Sequence, residues 1–295
     1  MIPDPPIITA EEMQKCRETG DYRPVLFEWY KFVSSVCYVF ANLMQESPAL
    51  RKDICGRDYA VLIGLMNRCA KLMHANIDLS HKGAFGETTS IIDRCIFESS
   101  VILNWLCANN NKDKFDRYIA SGFRTELELK TQIQNAIDKR DGVHLQIEDR
   151  MLASVDRHIE QAEFDEEALK NTKQLPDLAA MLVALGKDRI IYTTGQRIGS
   201  HHVHGTWVGL RMHYITREEN GLFRTRGKTD THVNQYVYIS LIVLETLKSF
   251  VRFLFVDSDE ETEVVLSLFE SIIDEIWEIN QEVVGTDFAV AEPES

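Results

Sequence analysis

Apolar residues recur at intervals of three and four along almost the whole sequence, the spacing that places them on one face of an α-helix. The segment after Pro24, VLFEWYKFVSSVCYVFANLM, carries them around most of its circumference and is expected to form a central helix. No linker divides the chain, so the sequence predicts an all-α helical bundle with a single domain over residues 1–295. We expect residues 1–23 to be an N-terminal extension, 24–283 the helical core and 284–295 a loose acidic tail. Further helices are predicted at 53–77, 87–108, 112–139, 144–167, 175–188, 231–256 and 259–283.

Residues 209–231 lack this periodicity and form the one predicted interruption of the bundle. Asn220 and Gly221 are a pair that favours a two-residue hairpin turn, because both tolerate positive φ angles. The segment is therefore predicted to be a small β-hairpin or an ordered loop.

Three features bear on the compartment. The N-terminal sequence has no basic region followed by an apolar one, so no secretory signal is expected. The most apolar stretch, residues 236–256, contains Glu245, Lys248 and Arg252, which a bilayer span of about 20 residues would tolerate poorly. The six cysteines show no C-x-x-C spacing and are expected to be buried thiols in a reducing environment. We therefore expect a cytoplasmic protein without a membrane partner.

The net charge of −14 is unevenly distributed along the chain. From Phe253 onward there are 13 acidic residues and no Lys or Arg. Residues 187–232 instead contain eight Lys or Arg against four Asp or Glu, together with five of the nine histidines. This asymmetry favours an anionic partner at one place on an otherwise acidic protein, although ordinary fluctuation produces a similar charge in a segment of this length.

The histidines of that basic segment cluster in RIGSHHVHGTW, residues 197–207. If residues 188–204 form one helix, Gly195 and Gly199 lie on one side of it and are expected to allow close packing against another element. Gly205 then ends the helix as a left-handed residue. The other side of the helix carries one polar stripe: Arg197, Ser200, His201 and His204.

An arginine followed by a histidine one or two turns later suits cleavage of a phosphodiester without a metal ion or other cofactor. The imidazole of His204 can take a proton from a ribose 2′-hydroxyl, and Arg197 can stabilise charge developing on phosphorus. His201 is a second acid or base candidate. The alternative without catalysis is a helix end whose histidines form hydrogen bonds with backbone carbonyls and acidic neighbours.

Two sets of residues have the composition of a metal site. His201, His202 and His204 would converge only if the helix were unwound, because neighbouring residues point about 100° apart. The other set has a spacing of i, i+4 and i+7, which is equally typical of a solvated or capping surface. It consists of His74, Asp78 and His81.

Arg94 and Glu98 form an i, i+4 pair on an otherwise apolar helix. Burying the pair is costly unless both charges are paired and hydrogen-bonded. The pair therefore either is buried and stabilises the core, faces a polar pocket or lies on the surface. If the pocket is shared with Arg197 and His204, Glu98 would orient one of them.

The sequence resembles the bacterial family DUF5677 over roughly residues 53–255. Two patterns carry the resemblance, I-x-x-R-x-x-x-E at Ile91, Arg94 and Glu98, and the later Y-x7-S-x3-H-G. The second pattern consists of Tyr192, Ser200, His204 and Gly205. That family is similar in layout to the HEPN superfamily of helical bundles, which have an Arg-x(4–6)-His motif late in the domain.

The resemblance implies a metal-independent ribonuclease that acts as a toxin or in defence against phage, usually as a homodimer that brings two motifs together. Arg197 and His204 are separated by six residues, but Ile198 stands where the superfamily commonly has a polar residue. In this hypothesis Tyr192 and Ser200 position the substrate, and Arg94 with Glu98 supports the site. RNA would be steered by the basic residues Arg211, Arg217, Arg224, Arg226 and Lys228. The alternative is a non-catalytic interaction protein whose acidic C-terminal helices bind a protein partner.

Overall fold

The computed structural model describes residues 2–47, 50–81, 83, 85–108, 111–255 and 260–289, with only the backbone for 285–289. Helices dominate the described chain and one hairpin interrupts them, which confirms the predicted all-α bundle with a small β-hairpin. The helices are α1 (Ala10–Thr19), α2 (Arg23–Ala41), α3 (Gly56–Ser80), α4 (Gly86–Cys107), α5 (Lys112–Asp138), α6 (Gln146–Gln161), α7 (Glu166–Asn171), α8 (Leu178–Ala184), α9 (Arg189–Tyr192), α10 (Ser200–Val203), α11 (Trp207–His213), α12 (Val233–Leu254) and α13 (Glu260–Ala289). A π-helix, Thr193–Arg197, joins α9 to α10, and strands β1 (Ile215–Arg217) and β2 (Phe223–Thr225) follow α11.

The core lies among α2, α3, α4 and α12, which pack against one another in pairs, while α13 covers α12. Their apolar faces meet in one large cluster that buries Trp29, Phe97 and Phe250 completely or nearly so. Each fully buried aromatic side chain of this kind stabilises the fold by about 1.5–3 kcal/mol. The helical period of the sequence predicts these elements because a stripe of large apolar residues is stable only against another such stripe.

The more polar helices α5, α6 and α7 stand beside this core. They share a second, small cluster of buried side chains that includes Val155, Ile159 and Leu169. One predicted helix over 144–167 is in fact two, because Glu163 takes a left-handed φ of 57° between α6 and α7.

Two terminal features differ from the prediction. Within the predicted N-terminal extension, α1 forms with a capping box in which Thr9 and Glu12 each cap the other's backbone. Helix α1 is fixed to the bundle because Cys16 is buried in the core and Arg17 pairs with Glu282 of α13 at 2.8 Å. Helix α13 continues to Ala289, so the predicted loose tail is helical at its start; residues 290–295 lie outside the described residues.

The predicted hairpin forms, with β1 and β2 antiparallel and Arg217 opposite Phe223. The predicted two-residue turn is wrong: Glu218 and Leu222 still pair, and three residues, 219–221, connect them. The first part of 209–231 is also helical, since α11 reaches His213.

Cysteine burial agrees only in part with the expectation, because Cys55 is exposed and Cys95 is half-buried. Among the helices of the described ranges, none is long and apolar enough to cross a membrane.

Candidate functional site

The segment that contains the arginine and the histidines is helical but is not one regular α-helix. Asp188 caps it by accepting a hydrogen bond from the Ile190 amide at 2.8 Å. The backbone then widens to π geometry, with the Ile198 amide bonded to the Thr193 carbonyl at 3.0 Å. The predicted continuous helix over 188–204 is therefore interrupted, and a π-turn of this kind often occurs at a functional site. Gly205 ends the segment in the predicted left-handed conformation, with φ of 55°.

The glycines explain where the segment lies. A Cβ atom on Gly195 would come within 2.6 Å of the Phe97 ring and of the Tyr238 hydroxyl. A Cβ atom on Gly199 would lie 3.3 Å from Arg94 Cβ. The expectation that the glycine side packs closely is confirmed, and the partners are α4 and α12.

The Arg197 and His204 side chains are exposed, and neither forms a hydrogen bond or an ion pair within the described part of the chain. His201 is half-buried, with Nδ1 2.8 Å from the Thr206 hydroxyl. Ser200 donates to the Gln196 carbonyl at 3.0 Å, and Tyr192 packs against the core. The polar stripe thus leaves one arginine and one imidazole free at the surface.

Arg94 and Glu98 meet as a half-buried pair, with Nε 3.0 Å from Oε1. The same Glu98 oxygen accepts a hydrogen bond from Gln196 Nε2 at 3.1 Å. The expectation that Glu98 orients Arg197 or His204 is therefore wrong; it holds the π-helix through Gln196 instead.

A second histidine pair, which the sequence reasoning did not assign to a catalytic site, lies behind the surface stripe. His202 is buried, and its Nδ1 is 3.1 Å from Nε2 of His213, whose Nδ1 is 3.3 Å from the Thr229 hydroxyl. Desolvation is the main reason that the pKa values of both imidazoles are lowered, so both are neutral at pH 7. A neutral imidazole oriented through one nitrogen is the form that accepts a proton.

His202 lines a cleft of about 580 Å³ between α4, the π-helix region and α12, which we name the central cleft. Its buried carboxyl is Asp93, whose Oδ1 accepts from Asn76 at 2.6 Å and whose Oδ2 accepts from Gln235 at 2.5 Å. Desolvation raises the pKa of Asp93 to about 7, although both hydrogen bonds oppose the shift. The cleft is lined by Ser90, Asp93, Arg94, Thr194, Gly195, Ile198, Gly199, His202, Met212, His232, Asn234, Gln235, Tyr238 and Ile239. Arg197 and His204 are not among its lining residues.

The predicted RNA-steering residues divide into two groups. Arg211 stacks on the Phe223 ring at 5.5 Å, Arg224 pairs with Glu218 at 2.7 Å, and Arg226 donates to the Met212 carbonyl at 2.8 Å. These contacts hold the hairpin. In the second group the side chains are exposed and form no hydrogen bond or ion pair within the described residues; this group consists of Arg217 and Lys228.

The metal alternatives gain no support from the geometry. His74 Nδ1 lies 2.9 Å from the Ser34 hydroxyl, and His202 is turned inward while His204 is exposed. Across the described ranges, no group of three or more His, Cys, Asp or Glu side chains is arranged to hold a metal ion.

The fold and the site define an all-α bundle protein whose central cleft lies beside a histidine-rich helical segment. The chain belongs to DUF5677, a family of unknown function, whose model matches residues 59–222, more than half of the chain. The match confirms the family resemblance and includes Arg94, Glu98, Arg197 and His204, over a shorter range than 53–255. No curated protein and no solved structure matches the chain significantly.

Proposed function

We propose that this protein is a HEPN-like, metal-independent endoribonuclease that acts as a toxin or a phage-defence effector. The observation that carries the proposal is that Arg197 and His204 are both exposed and unpaired within the described residues, on a segment fixed to the core by Gly195 and Gly199. In the alternative without catalysis, these side chains would be held in hydrogen bonds with backbone carbonyls or acidic neighbours.

In the proposed reaction His204 takes the proton from a ribose 2′-hydroxyl, and the 2′-oxygen forms a bond to phosphorus. The 5′-oxygen then leaves and takes a proton from a second imidazole, for which His201 is available because only its Nδ1 is hydrogen-bonded. Arg197 stabilises the charge on the phosphoryl oxygens. Arg217 and Lys228 attract the RNA backbone, while Arg94 and Glu98 support the π-helix.

The test is cleavage of total RNA in EDTA by the wild type and by the His204→Ala and Arg197→Ala variants. Each variant is expected to lose about a hundredfold or more in rate, because removing a general base or a charge-stabilising group costs that much. Arg157→Ala and His158→Ala serve as matched controls, because both side chains are exposed on α6. Equal rates for all five proteins, or activity that requires an added divalent ion, would contradict the proposal.

The same assay includes His202→Ala. Arg197 and His202 are separated by four residues, which also satisfies the Arg-x(4–6)-His pattern. If His202→Ala is inactive while His204→Ala is active, the proton acceptor is the buried imidazole and the role proposed for His204 is wrong.

We also propose that the protein is a homodimer that brings two Arg197–His204 segments together. Several large apolar side chains are exposed next to this segment, and Trp207 is 59% and Leu222 61% exposed. The Trp207 and Phe223 rings form an edge-to-face pair 5.7 Å apart. Exposed aromatic and aliphatic side chains that lie together are typical of an interface.

Replacing Trp207 and Phe223 together with serine is expected to convert the dimer into a monomer, because the variant loses the aromatic anchors of the interface. Light scattering coupled to size-exclusion chromatography measures the mass. Ile7→Ser, at a side chain that is 89% exposed on the N-terminal segment, is the control and should leave the mass unchanged. A wild type that is monomeric at micromolar concentration would refute this part of the proposal.

A second candidate function, a non-catalytic interaction protein, is favoured by the surface of α13. Trp277 is 52% exposed on this acidic helix, and an exposed tryptophan is a frequent anchor for a protein partner. Absence of RNA cleavage by the wild type, together with a partner whose binding Trp277→Ala abolishes, would replace the ribonuclease proposal with this one.

A further inference from the structure

The central cleft has the shape and the chemistry of a site for a flat aromatic ring. Its apolar walls come from Ile198, Met212 and Ile239, and Tyr238 adds an aromatic ring. A volume of about 580 Å³ accepts one nucleoside and is too small for a helix of RNA. Stacking of a base on an aromatic side chain in such a site contributes about 1–3 kcal/mol.

The polar groups of the cleft determine which ring fits. Asp93 presents a desolvated carboxyl, and each of its oxygens accepts one protein hydrogen bond and keeps a second acceptor position. The Tyr238 hydroxyl is buried without a hydrogen-bond partner of good geometry. The Asn234 carboxamide is exposed at the edge of the cleft and forms no hydrogen bond within the described residues.

Among the common bases, guanine matches this arrangement. Its N1–H and N2–H2 groups are two adjacent donors on one edge, which a carboxylate accepts together, and its O6 and N7 atoms are acceptors. The exposed Asn234 amide can donate to one of those acceptors. Adenine lacks the adjacent donors, and cytosine and uracil offer a smaller ring for the walls.

The charge of the cleft agrees with a neutral base rather than an anion inside it. Arg94 is already neutralised by Glu98, at 3.0 Å. Among the exposed arginines, Arg197 is the one adjacent in sequence to a residue that lines the cleft, Ile198.

We propose that the central cleft binds a guanine base, with the Asp93 carboxylate accepting from its N1–H and N2–H2 groups. The inference that the cleft selects a guanine within an RNA substrate rests on the proposed ribonuclease function. Binding of a free mononucleotide does not depend on that function.

The experiment is titration of the protein in EDTA at pH 8, where the Asp93 carboxyl is ionised because its pKa is about 7, with GMP, IMP, AMP, CMP and UMP by isothermal calorimetry. GMP is expected to bind about tenfold or more tightly than AMP, CMP and UMP, because a well-formed bidentate contact discriminates to that extent. IMP keeps N1–H but lacks the N2 amino group, so it is expected to bind with intermediate affinity. No measurable GMP binding, or equal affinity for all five nucleotides, would overturn the proposal.

Two variants test the location without disturbing the core. Met212→Trp is expected to close the cleft and to weaken GMP binding at least tenfold. Val208→Trp is its matched control, because both side chains lie on α11 and are 44% exposed but Val208 does not line the cleft. Asn234→Ala should reduce the preference for GMP over AMP several-fold, with the melting temperature reporting that the fold is intact. Unchanged GMP binding by Met212→Trp would place the ligand elsewhere and refute the proposal.

The two proposals fail in different ways. GMP binding without RNA cleavage would leave the guanine site standing and remove the ribonuclease function. RNA cleavage by a wild type that does not bind GMP would remove the guanine site alone.

Discussion

When the pH is raised from 5 to 8, the unfolding free energy of the wild type is expected to fall by about 3 kcal/mol more than that of the Asp93→Asn variant. The pKa of Asp93 rises from 3.8 in the unfolded chain to about 7 in the folded protein, chiefly because burial desolvates the charged form. Between these two pKa values the folded state holds a proton that the unfolded state has released. Stability therefore falls by about 1.4 kcal/mol for each pH unit up to about pH 7 and levels off above it.

An asparagine preserves the shape of the side chain and removes the titration. Asn76 can rotate its amide to accept from the new side chain, because its Oδ1 has no hydrogen-bond partner. The lowered pKa values of His202 and His213 act in the opposite direction, since the stability that they contribute is lost as the pH falls through their range. Both histidines remain in both proteins, so the difference between the two curves reports Asp93.

Urea unfolding at several values between pH 5 and pH 8 measures this difference. Asp138→Asn is the control, since Asp138 lies on the solvated side of α5. Parallel stability curves for the wild type and Asp93→Asn would show that Asp93 is not a desolvated carboxyl in the folded protein.

The Gly195→Ala variant is expected to lose about 3 kcal/mol of unfolding free energy, because overpacking beside a rigid core costs that much. The new methyl group would lie 2.6 Å from the Phe97 ring and from the Tyr238 hydroxyl. Phe97 is completely buried and stacks on Tyr238 with ring centroids 6.1 Å apart, so it has no space to move. The π-helix would therefore be displaced from the bundle.

Gly64→Ala is the matched control for this prediction. Gly64 lies on the exposed side of α3, and a Cβ atom there would meet nothing within 4 Å. Alanine is expected to stabilise the protein by about 0.5–1 kcal/mol at this position, because it restricts the unfolded chain. Chemical denaturation measures both variants, and a loss below about 0.5 kcal/mol for Gly195→Ala would contradict the close packing of the π-helix.

Most of the fold follows from the apolar period of the sequence. The helices of the core and the position of the hairpin are predicted because each depends on a local pattern that no distant residue alters. Helix α1 was missed although Thr9 and Glu12 form a recognisable capping box. The single-domain organisation, the cytoplasmic location and the relationship to HEPN proteins stay predictions.

The candidate site was predictable only in part. The exposed residues Arg197 and His204 were found because they lie close together in the sequence. His202 was considered only as a metal ligand, although its spacing from Arg197 fits the same motif. Asp93 gave no local signal, since its environment comes from Asn76 on α3 and Gln235 on α12.

The sequence by itself therefore determined the helical class, the amphipathic faces that form the core, and the basic histidine-rich segment. Only the tertiary structure decided which of those histidines is buried, which charges are paired, and that Asp93 lines a cleft with Asn234 and Tyr238. The physical reason is the distance along the sequence over which each kind of interaction acts. Helical periodicity and capping act over a few residues, whereas desolvation and hydrogen bonding depend on side chains that are distant in sequence and adjacent in space.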